Sequence, residues 1–453
     1  MVKKVKIKRR LKRKVKIIFI LILIVIIITL IIVAQKKTPQ PSTKNNKINK
    51  DELITTILNY QLEETIDKDF LKWITEEYSI KTLEKLENYL KEFNYNPIIW
   101  HQLTSNSLIV LKDKYNSIIS NRIKELMPKQ SSNEVTLSFV GDVSLADDWY
   151  IMPKYDERER KVYGILSENV VNIMTSSDIM VANNEFTISN RGSKMPNKYY
   201  TFRGSPERLS IYKEMGVNLV TLANNHIYDY GETAFYDALD ALEEYEIPYI
   251  GAGRNIVEAK ESFYYIINGY KIGFVNATRA EKYILTPEAT ETTGGVLRCY
   301  DPTAFINVIE ETKKNSDFVI ALVHWGKEDS SELEQVQIDT SKQYIEAGAD
   351  LIVGTHAHTL QGIDFYNDKA IVYNIGDFIF NHETKDTGIF QLKIDNEGNF
   401  KYYFLPCQQK DKYTFLLNGN EQIRVLNKMR KLSPNITITK DGEIIQNNTV
   451  LRN

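Results

Sequence analysis

The sequence predicts an α/β domain, with a largely parallel sheet and helices on its faces, preceded by a transmembrane helix and a small helical region. Two features of the chain predict this. After Glu134, short apolar runs typical of strands alternate with stretches of helical periodicity. Near the N-terminus, an uncharged apolar run follows a strongly basic segment. The 453 residues are enough for more than one domain.

The N-terminus predicts membrane attachment. Residues 1–16 contain ten Lys or Arg and no acid. Residues 17–34 are apolar apart from Thr29, and as a helix they would span about 27 Å, close to one hydrocarbon core. A cleaved signal peptide is the alternative, but its apolar region is usually shorter and no clear cleavage site follows. We therefore expect a cytoplasmic basic segment, a single-pass anchor in the cell membrane, and an extracellular chain from Gln35 onward.

The charge balance and the cysteine count exclude some classes of protein. The formal net charge of the whole chain is −2, so the part after the basic segment is acidic on balance, which argues against a nucleic-acid partner. Two cysteines, Cys299 and Cys407, cannot form a disulfide framework. Whether they pair with each other is open at this point.

Three further segments flank the predicted α/β domain. Residues 35–50 are polar with two prolines and read as a linker. Residues 51–127 repeat apolar side chains at helical spacing, which predicts a small helical region that serves as a spacer or a partner-binding element. Residues 409–453 read as a polar C-terminal tail with one helix near Gln422–Lys431.

The α/β domain itself is expected over residues 135–408. Eight strand-like runs are predicted, at residues 135–141, 178–185, 217–225, 247–253, 271–278, 317–326, 349–356 and 369–378. Helices are predicted between them at Ser205–Met215, Glu232–Tyr245, Pro302–Asn315 and Ser331–Ala347. A hairpin near Pro406 is expected to close the domain.

Polar side chains stand where six of these runs end. They are Asp142, then Asn183, Asn184 and Glu185, then Asn224, Asn225, His226 and Asp229, then His324 and Glu328, then His356 and His358, and finally Asp377. Ligand sites of α/β sheets lie outside the carboxyl ends of the strands. A single Asp after a strand is usually a turn residue, and two histidines in a loop can simply be solvated. Six coinciding ends instead favour one shared site.

The residue types at these ends indicate a metal site. Carboxylates, imidazoles and an Asn amide suit divalent ions such as Mn²⁺, Fe²⁺ or Zn²⁺, and the set lacks the thiolates of a structural zinc site. Pairs of such ions are a common device for hydrolysis of phosphoester or amide bonds. One or two divalent ions are therefore the expected cofactor.

The chain resembles the CapA family, the poly-gamma-glutamate capsule synthesis proteins, whose domain is similar to a calcineurin-type metallophosphoesterase. The resemblance covers roughly residues 135–385. It rests on "VGD" (140–142), "NNE" (183–185), "LANNHIYDYG" (222–231), "GAG" (251–253), "VHWGKE" (323–328), "GADLIVGTHAHTLQG" (348–362) and "YNIGDFIFN" (373–381). It implies a layered, metallophosphoesterase-like sheet sandwich with flanking helices.

The resemblance also implies roles for individual residues. Asp142, Glu185 and His358 would hold one metal ion. A second ion would be held by Glu185, Asn225, His324 and His356, with Glu185 bridging the two. Glu185 and His226 are the implied catalytic residues, His226 as a general acid or a partner of a substrate oxyanion.

Two positions depart from the wider metallophosphoesterase class. Ser144 stands where that class has a His, and a hydroxyl is a poorer ligand than an imidazole. We therefore expect one tightly and one weakly bound ion. Glu185 stands where the class uses Asp, so phosphatase activity does not follow from the resemblance.

Three functions remain open on the sequence. The resemblance and the expected topology favour synthesis or export of an extracellular anionic polymer such as poly-gamma-glutamate, with the membrane and a polymer synthesis or export complex as partners. The ligand set by itself favours a metal-dependent hydrolase at the cell surface. A non-catalytic factor that binds the polymer without turnover is the third possibility. No separate basic patch for such a polymer is evident in the sequence.

Overall fold

The computed structural model describes residues 122–129, 134–157, 160–281 and 285–447. The segments expected at residues 1–16, 17–34 and 35–50, and most of the helical region at 51–127, lie outside these residues. Within the described part, no helix is both long enough and apolar enough to cross a membrane.

The domain contains strands and helices in alternation. The strands are β1 Ile123–Leu126, β2 Val135–Val143, β3 Ile179–Asn184, β4 Thr187–Ile188, β5 Arg203–Gly204, β6 Leu219–Thr221, β7 Tyr249–Ile250, β8 Ala252–Gly253, β9 Phe263–Ile267, β10 Tyr270–Thr278, β11 Gly295–Val296, β12 Phe318–Trp325, β13 Leu351–His356, β14 Ile363–Tyr366, β15 Lys369–Val372, β16 Asp377–Ile379, β17 Lys385–Ile394, β18 Phe400–Lys410, β19 Tyr413–Leu416, β20 Ile436–Ile438 and β21 Glu443–Gln446. The α-helices are α1 Met152–Glu157, α2 Glu168–Ser176, α3 Leu209–Glu214, α4 Gly231–Glu244, α5 Ile256–Ala259, α6 Thr303–Lys314, α7 Gln335–Glu346 and α8 Gly419–Leu432.

Two large sheets face each other. One has seven strands in the order β1-β9-β10-β12-β13-β15-β14, and the other has ten. The main path of the second sheet is β20-β21-β18-β17-β2-β3-β6-β7, with β16 beside β2 and β19 beside β18. This confirms a layered α/β fold. It corrects the expectation of one largely parallel sheet, because β17 and β18 pair antiparallel and the strands divide between two sheets.

Strand alternation explains the layers. In β12, Ile320 and Leu322 belong to the core between the sheets, whereas Ala321 and Val323 belong to an outer core that α6 and α7 cover. A second outer core lies against the ten-stranded sheet under α2, α3 and α4. The part of β12 between the layers is therefore apolar on both faces, which is typical of a strand buried on both sides.

Several predicted segments differ in the structure. The run at 247–253, predicted as one strand, forms β7 in the ten-stranded sheet and β8 in a small sheet with β11. The run at 369–378 was expected to be one strand, but it forms β15 in one sheet and β16 in the other. The chain turns between them at Gly376, which has a φ of +79° and donates its N–H to the Asn374 side chain at 2.9 Å. The last residues of the expected helical region form β1, which pairs in parallel with β9.

The expected C-terminal tail is an integral part of the domain. Val425, Leu426 and Met429 of α8 are buried in the core between the sheets, and β21 pairs with β18. This segment has a polar composition because the exposed face of α8 is polar. Only one apolar stripe of the helix packs inward. The structure also answers the cysteine question, since Cys299 and Cys407 are both free and buried in different cores.

Candidate metal centre

Both sheets contribute to one cluster of polar side chains, most of which end or follow a strand, while Asp377 begins one. The ten-stranded sheet supplies Asp142 from β2, Glu185 after β3, Asn225 and His226 after β6, and Asp377 from β16. The seven-stranded sheet supplies His324 from β12, His356 from β13 and His358 beyond it. Of these, His358 is half-buried and the others are buried.

The first group that could hold a metal ion consists of Glu185, His324 and His356, whose ligand atoms lie within 4.8 Å of one another. The amide oxygen of Asn225 is 2.8 Å from Nε2 of His324, so Asn225 adjoins this group as expected. Oε1 of Glu185 is 3.7 Å from the same Nε2.

The second group consists of Asp142, His358 and Asp377. Nδ1 of His358 lies 3.3 Å from Oδ2 of Asp142 and 2.7 Å from Oδ1 of Asp377. Nε2 of His358 is 3.8 Å from Oε1 of Glu185, so that carboxylate stands between the two groups.

The structure thus brings together all six residues predicted as ligands and adds Asp377, which sequence reasoning placed at a strand end without a ligand role. Asp377 gives the second group a third donor in place of the imidazole that the wider class carries. The hydroxyl of Ser144 is buried nearby in the same strand-to-loop segment and has no hydrogen-bond partner among the described residues. Ligation by any of these residues, and the unequal occupancy expected from Ser144, stay predictions.

Two buried polar atoms of the first group suit a cation. Oε1 of Glu185 and Nδ1 of His356 have no hydrogen-bond partner within the described part of the chain. Buried polar groups are normally paired, because an unpaired one costs free energy. A divalent ion beside these atoms would compensate the carboxylate, so the residues present fit the expected cofactor.

The pKa shifts of the two histidines in the first group agree with metal binding. Burial lowers the pKa of His356 to about 3, with the neighbouring His358 adding to the effect. Burial likewise lowers the pKa of His324 well below its usual value. Both imidazoles are therefore neutral at physiological pH, which is the form that binds a metal. Burial and then the charge of Asp142 raise the pKa of Glu185, as expected for a carboxylate without a compensating cation.

Asn183 holds the two groups in register. Its amide nitrogen donates to Oδ1 of Asp142 and to Oε2 of Glu185, each at 2.9 Å, and lies 3.3 Å from Nδ1 of His324. Its amide oxygen accepts from Thr221 at 2.9 Å. The sequence placed Asn183 at a strand end, but this bridging role depends on contacts between three separate strands.

Replacing Asn183 by Leu should weaken binding of divalent metal by about 10–100-fold, the usual cost of losing an outer hydrogen-bond partner of metal ligands. The change removes both donors while it keeps the volume filled. Titration of the purified protein with Mn²⁺ or Zn²⁺ measures the effect. Asn218→Leu is the matched control, because Asn218 accepts from the Met180 backbone in the same strand pair, away from the groups. Equal affinity in Asn183→Leu and the control would contradict this role.

His226 lies beside the two groups with a fixed orientation. Its Nδ1 is 2.7 Å from Oδ2 of Asp229, so Nδ1–H donates to that carboxylate and Nε2 is left for other contacts. The other oxygen of Asp229 pairs with Lys198 at 2.7 Å. Burial lowers the pKa of His226, which favours a neutral imidazole. The arrangement can hold or pass a proton at Nε2.

Comparisons with known proteins cover this same region. The family model of the bacterial capsule synthesis protein PGA_cap matches residues 136–382. The PGA biosynthesis protein CapA of Bacillus subtilis (strain 168) is 30% identical over 283 residues, which are 61% of this chain and 72% of that protein. The capsule biosynthesis protein CapA of Bacillus anthracis is 29% identical over 317 residues, or 66% of this chain and 75% of that protein. A probable polyglutamine synthesis accessory protein of Mycobacterium tuberculosis (strain ATCC 25618 / H37Rv) is 27% identical over 219 residues, or 46% and 57%.

Proposed function

The chain belongs to the bacterial capsule synthesis protein family, and on that premise we propose that it acts in the synthesis or export of an extracellular anionic polymer such as poly-gamma-glutamate. One observation carries the proposal. The family match at residues 136–382 encloses every residue of the two candidate metal-binding groups, from Asp142 to Asp377. The part of the chain shared with the capsule proteins is therefore the part that forms the site.

The groups suggest how the domain takes part. Glu185, Asn225, His324 and His356 would hold one divalent ion, and Asp142, His358 and Asp377 a second. When bound, such ions supply a Lewis acid and an activated water near neutral pH. Asn183 keeps the carboxylates in place, and His226, with its proton on Nδ1, presents an Nε2 that can accept a proton.

A metal-dependent hydrolase of phosphoester or amide bonds is the second candidate. The observation that favours it is His226, which is 5% exposed and is oriented by Asp229 beside the two groups. A site that only binds a polymer has no need of an oriented histidine whose free Nε2 can accept a proton and pass it on. Hydrolysis of a substrate panel by the metal-loaded protein, lost in His226→Ala without loss of metal, separates this candidate from a non-catalytic polymer-binding factor.

Membrane attachment is part of the proposal. The basic residues 1–16 and the apolar run at 17–34 support a single-pass anchor with the N-terminus inside and the domain outside. Protease added to intact cells without their wall should digest the domain. Protection of the domain until the cells are lysed would contradict this topology.

Deletion of the gene in the organism that carries it tests the function directly. We expect the surface polymer, measured as acid-released glutamate, to fall strongly, and the intact gene to restore it. A gene encoding His324→Ala should fail to restore it, while His382→Ala, an exposed histidine outside both groups, should succeed. An unchanged amount of polymer in the deletion strain would overturn the proposal.

A further inference from the structure

A continuous row of aromatic rings starts at the candidate metal centre. We call it the aromatic row and define it as Trp149, Tyr150, Tyr199, Tyr200, Phe202 and Phe380. At its inner end, the ring of Phe202 is 4.5 Å from that of His226, and the ring of Phe380 is 4.6 Å from that of His358. The two phenylalanine rings are 5.4 Å apart. The inner end therefore contacts both sides of the site.

The row becomes more exposed with distance from the site. The Trp149 ring lies 4.7 Å from that of Phe202 and 4.5 Å from that of Tyr150, and Tyr200 continues to Tyr199 at 4.7 Å. Phe202 is only 3% exposed, whereas Tyr200 is 55% and Tyr199 is 90% exposed. Adjoining exposed rings that lead into a polar site are typical of a ligand-binding surface.

The backbone on either side of the outer rings is held in a fixed relation to the site. Lys198, next to Tyr199, has a buried side chain whose Nζ is 2.7 Å from Oδ1 of Asp229 and 2.9 Å from Oε1 of Glu281. The Phe202 N–H donates to the same Asp229 carboxylate at 2.7 Å. Since Asp229 also orients His226, one carboxylate fixes both His226 and the backbone that carries the row. A ligand stacked on these rings would meet a backbone that is already ordered.

Three cations near the row are already paired with acids and are therefore not available to a chain of carboxylates. Lys198 is paired with two acids. Arg208 is paired with Asp147, which precedes α1, and with Asp156, which lies in α1. Lys385, beyond the row's Phe380, pairs with Asp329 at 2.5 Å. Recognition of repeated carboxylates needs free cations, and these three are neutralised.

Flat rings with a few polar edges suit sugars instead. A pyranose ring has an apolar face of axial C–H bonds that stacks on an aromatic ring, while its hydroxyls stay at the edge and can bond tyrosine hydroxyls. We propose that the aromatic row binds the sugar rings of a cell-wall glycan and holds them next to the candidate metal centre. The proposal rests on the proposed function and deepens it, since the glycan would be the wall component that meets the extracellular polymer at this site.

Sedimentation with purified cell-wall sacculi of the producing organism, their attached polymers retained, tests the proposal on the full chain in detergent. We expect the protein to bind the sacculi and Tyr199→Ala/Tyr200→Ala to bind them about 10-fold more weakly, in line with the stacking contribution of an aromatic side chain. Tyr199→Phe/Tyr200→Phe should retain most of the binding. Tyr163→Ala is the matched control, because Tyr163 is 39% exposed but lies outside the row. Bound metal should be equal in all variants.

Soluble glycan strands prepared from the sacculi, with their peptides removed by an amidase, should compete with the sacculi for the protein. A lack of competition, binding that is absent in the unmodified protein, or binding that is unchanged in the double alanine variant would overturn the proposal. So would binding of soluble poly-gamma-glutamate that depends on Tyr199 and Tyr200, because the row would then recognise a polypeptide. If deletion of the gene leaves the polymer unchanged while sacculi still bind through the row, the proposed function fails and the glycan site stands.

Discussion

His356→Ala should abolish tight binding of divalent metal by the first group. Only Glu185 and His324 of that group would remain with Asn225, and Oε1 of Glu185 is already without a hydrogen-bond partner in the described structure. Removal of an outer hydrogen-bond partner lowers metal affinity by about 10–100-fold. The loss of affinity in His356→Ala should be larger, because the change removes a ligand atom itself. Elemental analysis after dialysis against metal-free buffer measures the ion that stays bound.

Thermal unfolding gives an independent measure of the same change. A ligand that binds only the folded state stabilises it in proportion to the logarithm of its concentration. Added Mn²⁺ or Zn²⁺ should therefore raise the Tm of the unmodified protein and of His382→Ala more than that of His356→Ala. An equal metal content and an equal rise in Tm in His356→Ala would show that this histidine is no ligand.

Gly141→Ala should prevent stable folding and with it assembly of the second group. A Cβ at position 141 would lie 1.8 Å from the carbonyl oxygen of Gly376 and 3.0 Å from its carbon. Both neighbours are backbone atoms, so no side-chain rotation relieves the clash, and β2 would separate from the turn before Asp377. A cost above about 4–5 kcal/mol is expected, which is a large share of the stability of a domain.

The control for this change is Gly269→Ala. Gly269 has a φ of +84° and open space where a Cβ would stand, so its replacement meets backbone strain without a clash. That strain costs roughly 1–2 kcal/mol. Denaturant unfolding of the two variants compares them, and a Gly141→Ala protein as stable as Gly269→Ala would refute the close approach of β2 to Gly376.

Much of the site could be predicted because its residues follow strand ends. A short apolar run before His356 or His324 marks a buried strand, and the carboxyl ends of parallel strands gather at one edge. The predicted ligand residues include no cysteine, which distinguishes this site from a structural zinc site with thiolate ligands. Asp377 was seen at a strand end, but an Asp after a strand is most often a turn residue, so its place beside His358 needed the fold.

The remaining features depend on contacts between distant parts of the chain. The run at 369–378 crosses from one sheet to the other at Gly376, and its apolar pattern is the same as that of one continuous strand. Asn183 contacts Asp142, Thr221 and His324, which come from three other segments, and His324 is 141 positions away. The aromatic row likewise joins Phe202 to Phe380. No local pattern in a single sequence contains such pairings, whereas helices and strands follow from local periodicity.

A crystal structure of the protein grown with Mn²⁺, with anomalous scattering recorded to locate the metal, tests the central claim most directly. The account predicts an anomalous peak among Glu185, His324 and His356, and a second, weaker peak among Asp142, His358 and Asp377. The claim would be contradicted if, at saturating Mn²⁺ or Zn²⁺, neither group showed a peak, or if the ions bound only at surface carboxylates elsewhere.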